Sequence, residues 1–295
     1  MFPRRQFLFT ASGALLYAAS GRRAYADGKT FSSQLNSELS AIERTSGGRL
    51  GVAVLDMATG ARAGHRADER FAMCSTFKLL EAAAVLQRVD AGTESLSRRL
   101  TFTSKDILEH APITEEHVGS DGMSLLELCD AAVRYSDSTA ANLLLGTIGG
   151  PAGFTAFARA IGDNVTRLDR NEPDMSQATP GDPRDTTSPA AMVQNLQTLL
   201  LGKLLSDASR AQLEDWMLRN TTGDPCLRAG VPKGWHIGDK TGTGDYGTRN
   251  DVAVIRPPQH APVLVAVYLT GATAITDDQR NAAIADVARA VAAAL

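Results

Sequence analysis

Lysine is scarce in this chain: 6 Lys stand against 24 Arg among 295 residues, and aromatic residues make up only 5%. Cysteine is nearly absent, represented by Cys74, Cys129 and Cys226 alone. Three thiols cannot all pair, and their spacings match no metal-binding framework. Cys74 and Cys129 read as small core residues. No basic run occurs. The net charge is −3, and because the first 26 residues hold four Arg and no acid, the remainder carries −7. So acidic a chain is a poor nucleic-acid binder. Beyond the N-terminus no apolar run approaches the ~20 residues that a membrane span needs. His65, His110, His117, His236 and His260 form no H-E-x-x-H and no close ligand pair, so no metal is expected. The absence of G-x-S-x-G disfavours a hydrolase built on a nucleophile elbow.

What is present is ordinary globular composition, 43% hydrophobic and 21% charged, enough for a sizeable core. Residues 1–26 read as a signal peptide. Arg4-Arg5 heads an apolar stretch from Phe7 to about Ala19, and Ala24-Tyr-Ala26 supplies a cleavage site. The paired arginines point to twin-arginine export of a folded protein, with an ordinary secretory signal as the alternative. The expected location is periplasmic or secreted.

Apolar periodicity predicts a helix over 31–43, a strand over 50–56 and a strong helix over 75–89. Residues 100–215 read as helical patches with little strand character. The stretch 171–189 reads as a long ordered loop, and such loops in compact domains are usually functional. The segments 236–241, 250–256 and 262–270 are β-like and suggest an antiparallel meander. Ile284, Val287, Ala288, Val291, Ala292 and Leu295 form the buried stripe of a terminal helix. The expected fold is α/β (α+β), an antiparallel sheet flanked by helices with an inserted all-α domain. Residues 27–67 and 219–295 would form the discontinuous α/β domain, and 68–218 the helical one, with a loop across 170–185.

Gly242-Thr-Gly244-Asp-Tyr-Gly247 fits G-x-G-x-x-G, but a strand rather than a helix follows, so a dinucleotide site is not expected. Ser75-Thr-Phe-Lys78 is more informative. Three residues apart on a helix, Ser75 and Lys78 share a face, and on the first turn they meet unpaired N–H groups and a positive dipole end. A serine must lose its proton to attack a carbonyl, and a buried lysine of depressed pKa can take it. Chance alone supplies about 0.4 such Ser/Lys pairs in a chain of this composition, so the motif needs company.

Company follows in order: Ser136-Asp137-Ser138, then Glu172-Pro173 in the long loop, then Lys240-Thr241-Gly242, then Arg249. The chain resembles the class A serine β-lactamases across essentially all of residues 27–295, including Leu168-Asp-Arg170-Asn-Glu172-Pro, Arg184-Asp-Thr-Thr187 and Asp239-Lys-Thr-Gly242. S-x-x-K and K-T-G occur across the penicillin-recognising enzymes; the glutamate loop selects class A.

The resemblance implies that Ser75 attacks the lactam carbonyl, with Lys78 and Glu172 activating it, and that the N–H groups of Ser75 and Thr243 hold the oxyanion. Ser136 would pass a proton to the departing nitrogen with Lys240 in electrostatic support. Thr241, Gly242, Thr243 and Arg249 would hold the substrate carboxylate. Glu172 would finally act as general base on a water. Arg170 and Asp185 would pair across the loop neck, Asp137 would be structural, and His110 stands where relatives carry an aromatic gate. Two positions depart from the family: Ser138 and Ser176 replace the usual Asn. At 138 serine is shorter and offers one donor instead of two, which predicts weaker binding of bulky acylamino groups, and slower deacylation or a differently held water is expected of both changes. The partners of Cys74 and Cys129 in disulfide-bearing relatives are missing, since Gly244 and Ala82 stand there, so free thiols are expected. The expected activity is hydrolysis of a small-molecule β-lactam, without cofactor or metal, by a monomer. A D-Ala-D-Ala peptidase or penicillin-binding protein, or a lactam-binding sensor, is the alternative.

Overall fold

The computed structural model describes residues 31–295, so the proposed signal peptide lies outside the described residues. Helix α1 runs over 31–45. It leads into β1 (Arg49–Asp56) and β2 (Arg62–His65), joined by a turn that Asp56 organises: its carboxylate accepts from Ala58 N at 2.9 Å and Thr59 Oγ1 at 2.6 Å. A two-residue strand, β3 (Phe71–Ala72), precedes a 3-10 turn (Cys74–Thr76) and helix α2 (Phe77–Asp90). Then come β4 (Arg99–Leu100), β5 (Met123–Ser124), α3 (Leu125–Arg134), α4 (Ser138–Ile148), α5 (Gly150–Ala160), β6 (Thr186–Thr187), α6 (Pro189–Leu196) and α7 (Asp207–Leu218). The chain closes with α8 (Leu227–Gly230), the meander β7 (His236–Gly244), β8 (Thr248–Arg256) and β9 (Val263–Thr270), and α9 (Asp277–Ala294).

The main sheet has the order β2-β1-β9-β8-β7, antiparallel throughout. Both of its faces are apolar. On β8, Val252 and Val254 join one core cluster while Ala253 and Ile255 join the other, and β9 splits the same way between Leu264, Ala266 and Val263, Val265. A strand alternates faces at every residue, so a sheet covered on both sides reads as a nearly continuous apolar run. Helices α1, α8 and α9 share the second cluster, while α2–α7 share the first.

Local chemistry sets the helix starts. Ser124 and Glu127 cap α3 reciprocally, Thr276 and Gln279 do the same for α9, and Asp137 caps α4 by accepting from Ala140 N at 2.8 Å. Three expectations need correction. Ser75 lies in the 3-10 turn before α2 rather than in the α-helix itself: Thr76 N donates to Met73 O at 3.2 Å, a bond to the residue three back that tightens the turn. The segment 68–218 is not wholly α-helical, since the two-residue strands β4–β5 and β3–β6 form two small ladders within it, while 100–215 does carry little strand, as expected. The terminal stripe is buried through Val291, but Leu295 is 40% exposed where the chain runs past the sheet.

Candidate active site

Close backbone approach builds the site. Asn250 on β8 donates to the carbonyls of Ala72 and Met73 at 2.9 and 3.0 Å, tying the segment before the 3-10 turn to the sheet. Glycine on β7 lets the turn come close: a Cβ at Gly242 would stand 2.9 Å from Met73 O, and one at Gly244 would stand 2.6 Å from Cys74 Sγ and 2.5 Å from Ser176 O. β7 is also the edge of its sheet, so its outer row of backbone polar groups faces the turn that carries Ser75.

A cleft of ≈ 550 Å³ opens there, lined by Ser75, Ser136, Ser138, Glu172, Ser176, Thr241, Gly242, Thr243, Arg249 and His110. The structure thus brings together ten of the expected residues from six separate segments. Lys78 and Lys240 lie fully buried beneath it. Lys78 Nζ stands 3.1 Å from Glu172 Oε1 and donates to Ser136 O at 2.7 Å and Ser138 Oγ at 3.2 Å. Ser75 Oγ donates to the same Glu172 oxygen at 3.4 Å, and Ser176 Oγ donates to Glu172 Oε2 at 3.0 Å. Burial by itself would raise the pKa of Glu172. The charge of Lys78 in contact and the hydroxyls of Ser176 and Ser75 outweigh it and hold the carboxyl below its ordinary value. Lys240 Nζ donates to Ser136 Oγ at 3.1 Å, and burial, reinforced by the charge of Lys78, pulls Lys240 well below the usual lysine range. Arg249 Nη1 donates to Thr243 Oγ1 at 2.7 Å, so that pair faces the cleft together.

Arg170, Asp185 and Asp137 stand outside the cleft. Arg170 Nε pairs with Asp185 Oδ2 at 2.6 Å, and Asp185 Oδ1 accepts from the backbone of Asp169 and Arg170, closing the loop neck. Asp137 accepts from Ile113 N, Thr114 N and Thr114 Oγ1 within 3.0 Å, holding the far wall. All three cysteines are free thiols; Cys74 and Cys129 are buried as expected, and Cys226, for which no core place was expected, is buried as well. Gly242–Gly247 is the end of β7 and the turn into β8, with no helix after it. Among the described residues no group of His, Cys, Asp and Glu could hold a metal, and no helix is long and apolar enough to cross a membrane.

Sequence reasoning missed several residues. Asn142 grips the backbone of Glu172 on both sides, its Nδ2 donating to Glu172 O at 2.9 Å and its Oδ1 accepting from Glu172 N at 3.0 Å. It lies four residues after Ser138 on α4, one turn along the same face, and that spacing could have found it. Thr222 lines the cleft and shares a 2.5 Å hydrogen bond with Thr241 Oγ1. Asp239, buried beside Lys240, pairs with Arg228 and accepts from Asn220 Nδ2 at 2.6 Å.

The β-lactamase enzyme family matches residues 34–295. Among relatives, the chain is 49% identical over 267 residues to β-lactamase CTX-M-8 of Citrobacter amalonaticus, covering 90% of this chain and 89% of that one. It is 45% identical to β-lactamase L2 of Stenotrophomonas maltophilia, covering 98% of each. The solved structure of an ancestral class A β-lactamase superposes with a TM-score of 0.87 at 60% identity, covering 88% of this chain and 100% of that one. The chain belongs to the class A β-lactamases.

Proposed function

We propose that this protein hydrolyses the lactam amide of penicillins and related antibiotics through a covalent intermediate on Ser75. The observation that carries the reading is the buried Lys78–Glu172 pair, with the Ser75 hydroxyl donating to the same carboxylate oxygen. Glu172, held ionised, is placed to draw the proton from Ser75 and later from a water. Lys78 offsets the charge of Glu172 and, by donating to Ser136 O, fixes the opposite wall. The oxyanion is assigned to the backbone N–H groups of Ser75, at the positive end of α2, and Thr243 on the sheet edge. Ser136 Oγ accepts from Lys240, which leaves its own proton for the lactam nitrogen.

Thr241, Gly242, Thr243 and Arg249 hold the substrate carboxylate. Ser138 and His110 face the substrate's side chain, and Ser176 positions the deacylating water with Glu172. Arg170, Asp185 and Asp137 support the walls. In this reading residues 68–218 form a helical domain on the α/β domain of 27–67 and 219–295, with the cleft at their junction. The protein works as an exported, periplasmic monomer, its signal peptide the first 26 residues and its route the twin-arginine one, with no nucleic-acid or membrane partner.

Intact mass over time with excess benzylpenicillin, the drug assayed in the same tube, tests the activity. Loss of drug with return of the unmodified mass is the expected result. One equivalent retained while the rest of the drug survives would make the protein a penicillin target or sensor instead.

A further inference from the structure

The guanidinium of Arg249 is held from behind by groups that have no part in the reaction. Its Nε donates to Asn281 Oδ1 at 2.8 Å, and its Nη2 donates to Thr222 O at 3.2 Å and to Cys226 Sγ at 3.1 Å. Cys226 Sγ in turn donates to Asn281 Oδ1 at 3.2 Å. Guanidinium, thiol and amide therefore close a ring, and the remaining Nη1 is left pointing at Thr243 Oγ1 in the cleft. Such a ring needs one group that accepts from the guanidinium and donates to the amide oxygen. A thiolate could not donate, and an alkyl side chain could do neither. Burial, with Asp251 adding to it, pushes the Cys226 thiol up to about 12, so it keeps its proton at physiological pH. The thiol is fully buried on the loop leading into α8, while Asn281 comes from α9. The ring thus couples the C-terminal helix pair to the residue that meets the substrate's charge.

We propose that Cys226 is a positioning residue for substrate binding: its neutral thiol, bridging Asn281 and Arg249, aims the guanidinium at Thr243 and so sets affinity for the substrate carboxylate. This rests on the reading of Arg249 as the carboxylate-holding side chain. A mis-aimed guanidinium weakens ground-state and transition-state binding alike, which raises KM and spares kcat.

The test is a double-mutant cycle on benzylpenicillin hydrolysis with Cys226→Ala, Arg249→Ala and the double variant, plus Cys226→Ser as the conservative replacement. Loss of one neutral hydrogen-bonding partner predicts a KM about three- to tenfold higher for Cys226→Ala with kcat within twofold. Cys226→Ser, which can still accept and donate, recovers most of that rise. In the Arg249→Ala background the Cys226→Ala change adds nothing. Should Ala fail to fold, Cys226→Val removes the same bonds while filling the volume. An unchanged KM for Cys226→Ala, or an equal rise in the Arg249→Ala background, overturns the positioning role. Arg249→Ala with unchanged KM overturns the underlying reading of Arg249, a separate result from the same data.

Discussion

Glu81 gives the sharpest prediction about what this fold tolerates. It lies on α2 three residues beyond Lys78, fully buried, and neither carboxyl oxygen has a hydrogen-bond partner. Burial drives its pKa well above the ordinary carboxylate range. Lys78 opposes the shift, and Glu172 adds to it. The folded protein therefore holds Glu81 protonated where the unfolded chain ionises it. Between the unfolded value of ~4.3 and the raised folded value, the native state binds the extra proton, so the free energy of unfolding falls as pH rises. The slope for one such group is about 1.4 kcal/mol per pH unit. The unsatisfied carboxyl adds a pH-independent cost of about 1–3 kcal/mol.

Glu81→Leu removes both costs at nearly constant volume, so little cavity or overpacking offsets the gain. At pH 5, where linkage already contributes about 1 kcal/mol, the variant should be more stable by about 2–4 kcal/mol. The advantage should widen by about 1.4 kcal/mol for each further pH unit until the folded pKa is passed. At about 2–4 °C per kcal/mol, the thermal midpoint should rise by several degrees at pH 5 and more at pH 7. Urea unfolding of both proteins at pH 5, 6, 7 and 8 measures this, and their difference cancels every other titrating group. A difference that stays flat with pH would mean that Glu81 is ionised in the native state, and the reasoning from its burial would be refuted. A variant less stable at every pH would mean that the carboxyl has a partner.

Glu172→Gln removes the proton acceptor for both acylation and deacylation, so kcat should fall by about 10²–10⁴-fold, steady-state benzylpenicillin hydrolysis being the check. Ser176→Ala takes a hydrogen bond from the charged form of Glu172. The acid limb of kcat should then move up by about one pH unit, and a pH–rate profile from 4 to 8 with an unmoved limb would remove Ser176 from the site's electrostatics. Asn142→Ala frees both backbone groups of Glu172. Misplacing that carboxylate by about 1 Å predicts up to ~10²-fold loss in kcat, to be read from steady-state rates, and the two unpaired backbone groups should lower stability by about 1–3 kcal/mol in a melting curve. Gly244→Ala forces a methyl onto Cys74 Sγ and Ser176 O, so stability should fall by about 1–3 kcal/mol and activity with it.

The chemistry of the cleft was legible because it is written in short runs: Ser75-x-x-Lys78, Ser136-x-Ser138 and Lys240-Thr-Gly242 each keep their spacing whatever the loops between them do. The sheet was legible too, since β1, β8 and β9 are apolar on both faces and stop at Gly- and Pro-bearing turns. Residues that hold the runs together in space left weaker traces. Asn250 joins β8 to a carbonyl 177 residues earlier, and Cys226 meets Asn281 across 55 residues. No local period encodes either contact.

Glu81 escaped notice for a different reason. A helix with one wet face shows its acids on that face, but every residue of α2 from Phe77 to Leu86 is buried, so the helix has no polar stripe against which an acid looks misplaced. Two of those ten buried positions are ionisable, and they behave oppositely. Lys78 is answered by Glu172 and two further acceptors, so its burial is offset contact by contact. Glu81 is answered by nothing, and it must give up its charge instead. A second carboxylate ionised at Glu81 would compete with Glu172 for Lys78. Keeping Glu81 protonated therefore leaves Lys78 committed to the carboxylate that faces Ser75, and the stability lost in doing so is the quantity that the Glu81→Leu titration measures.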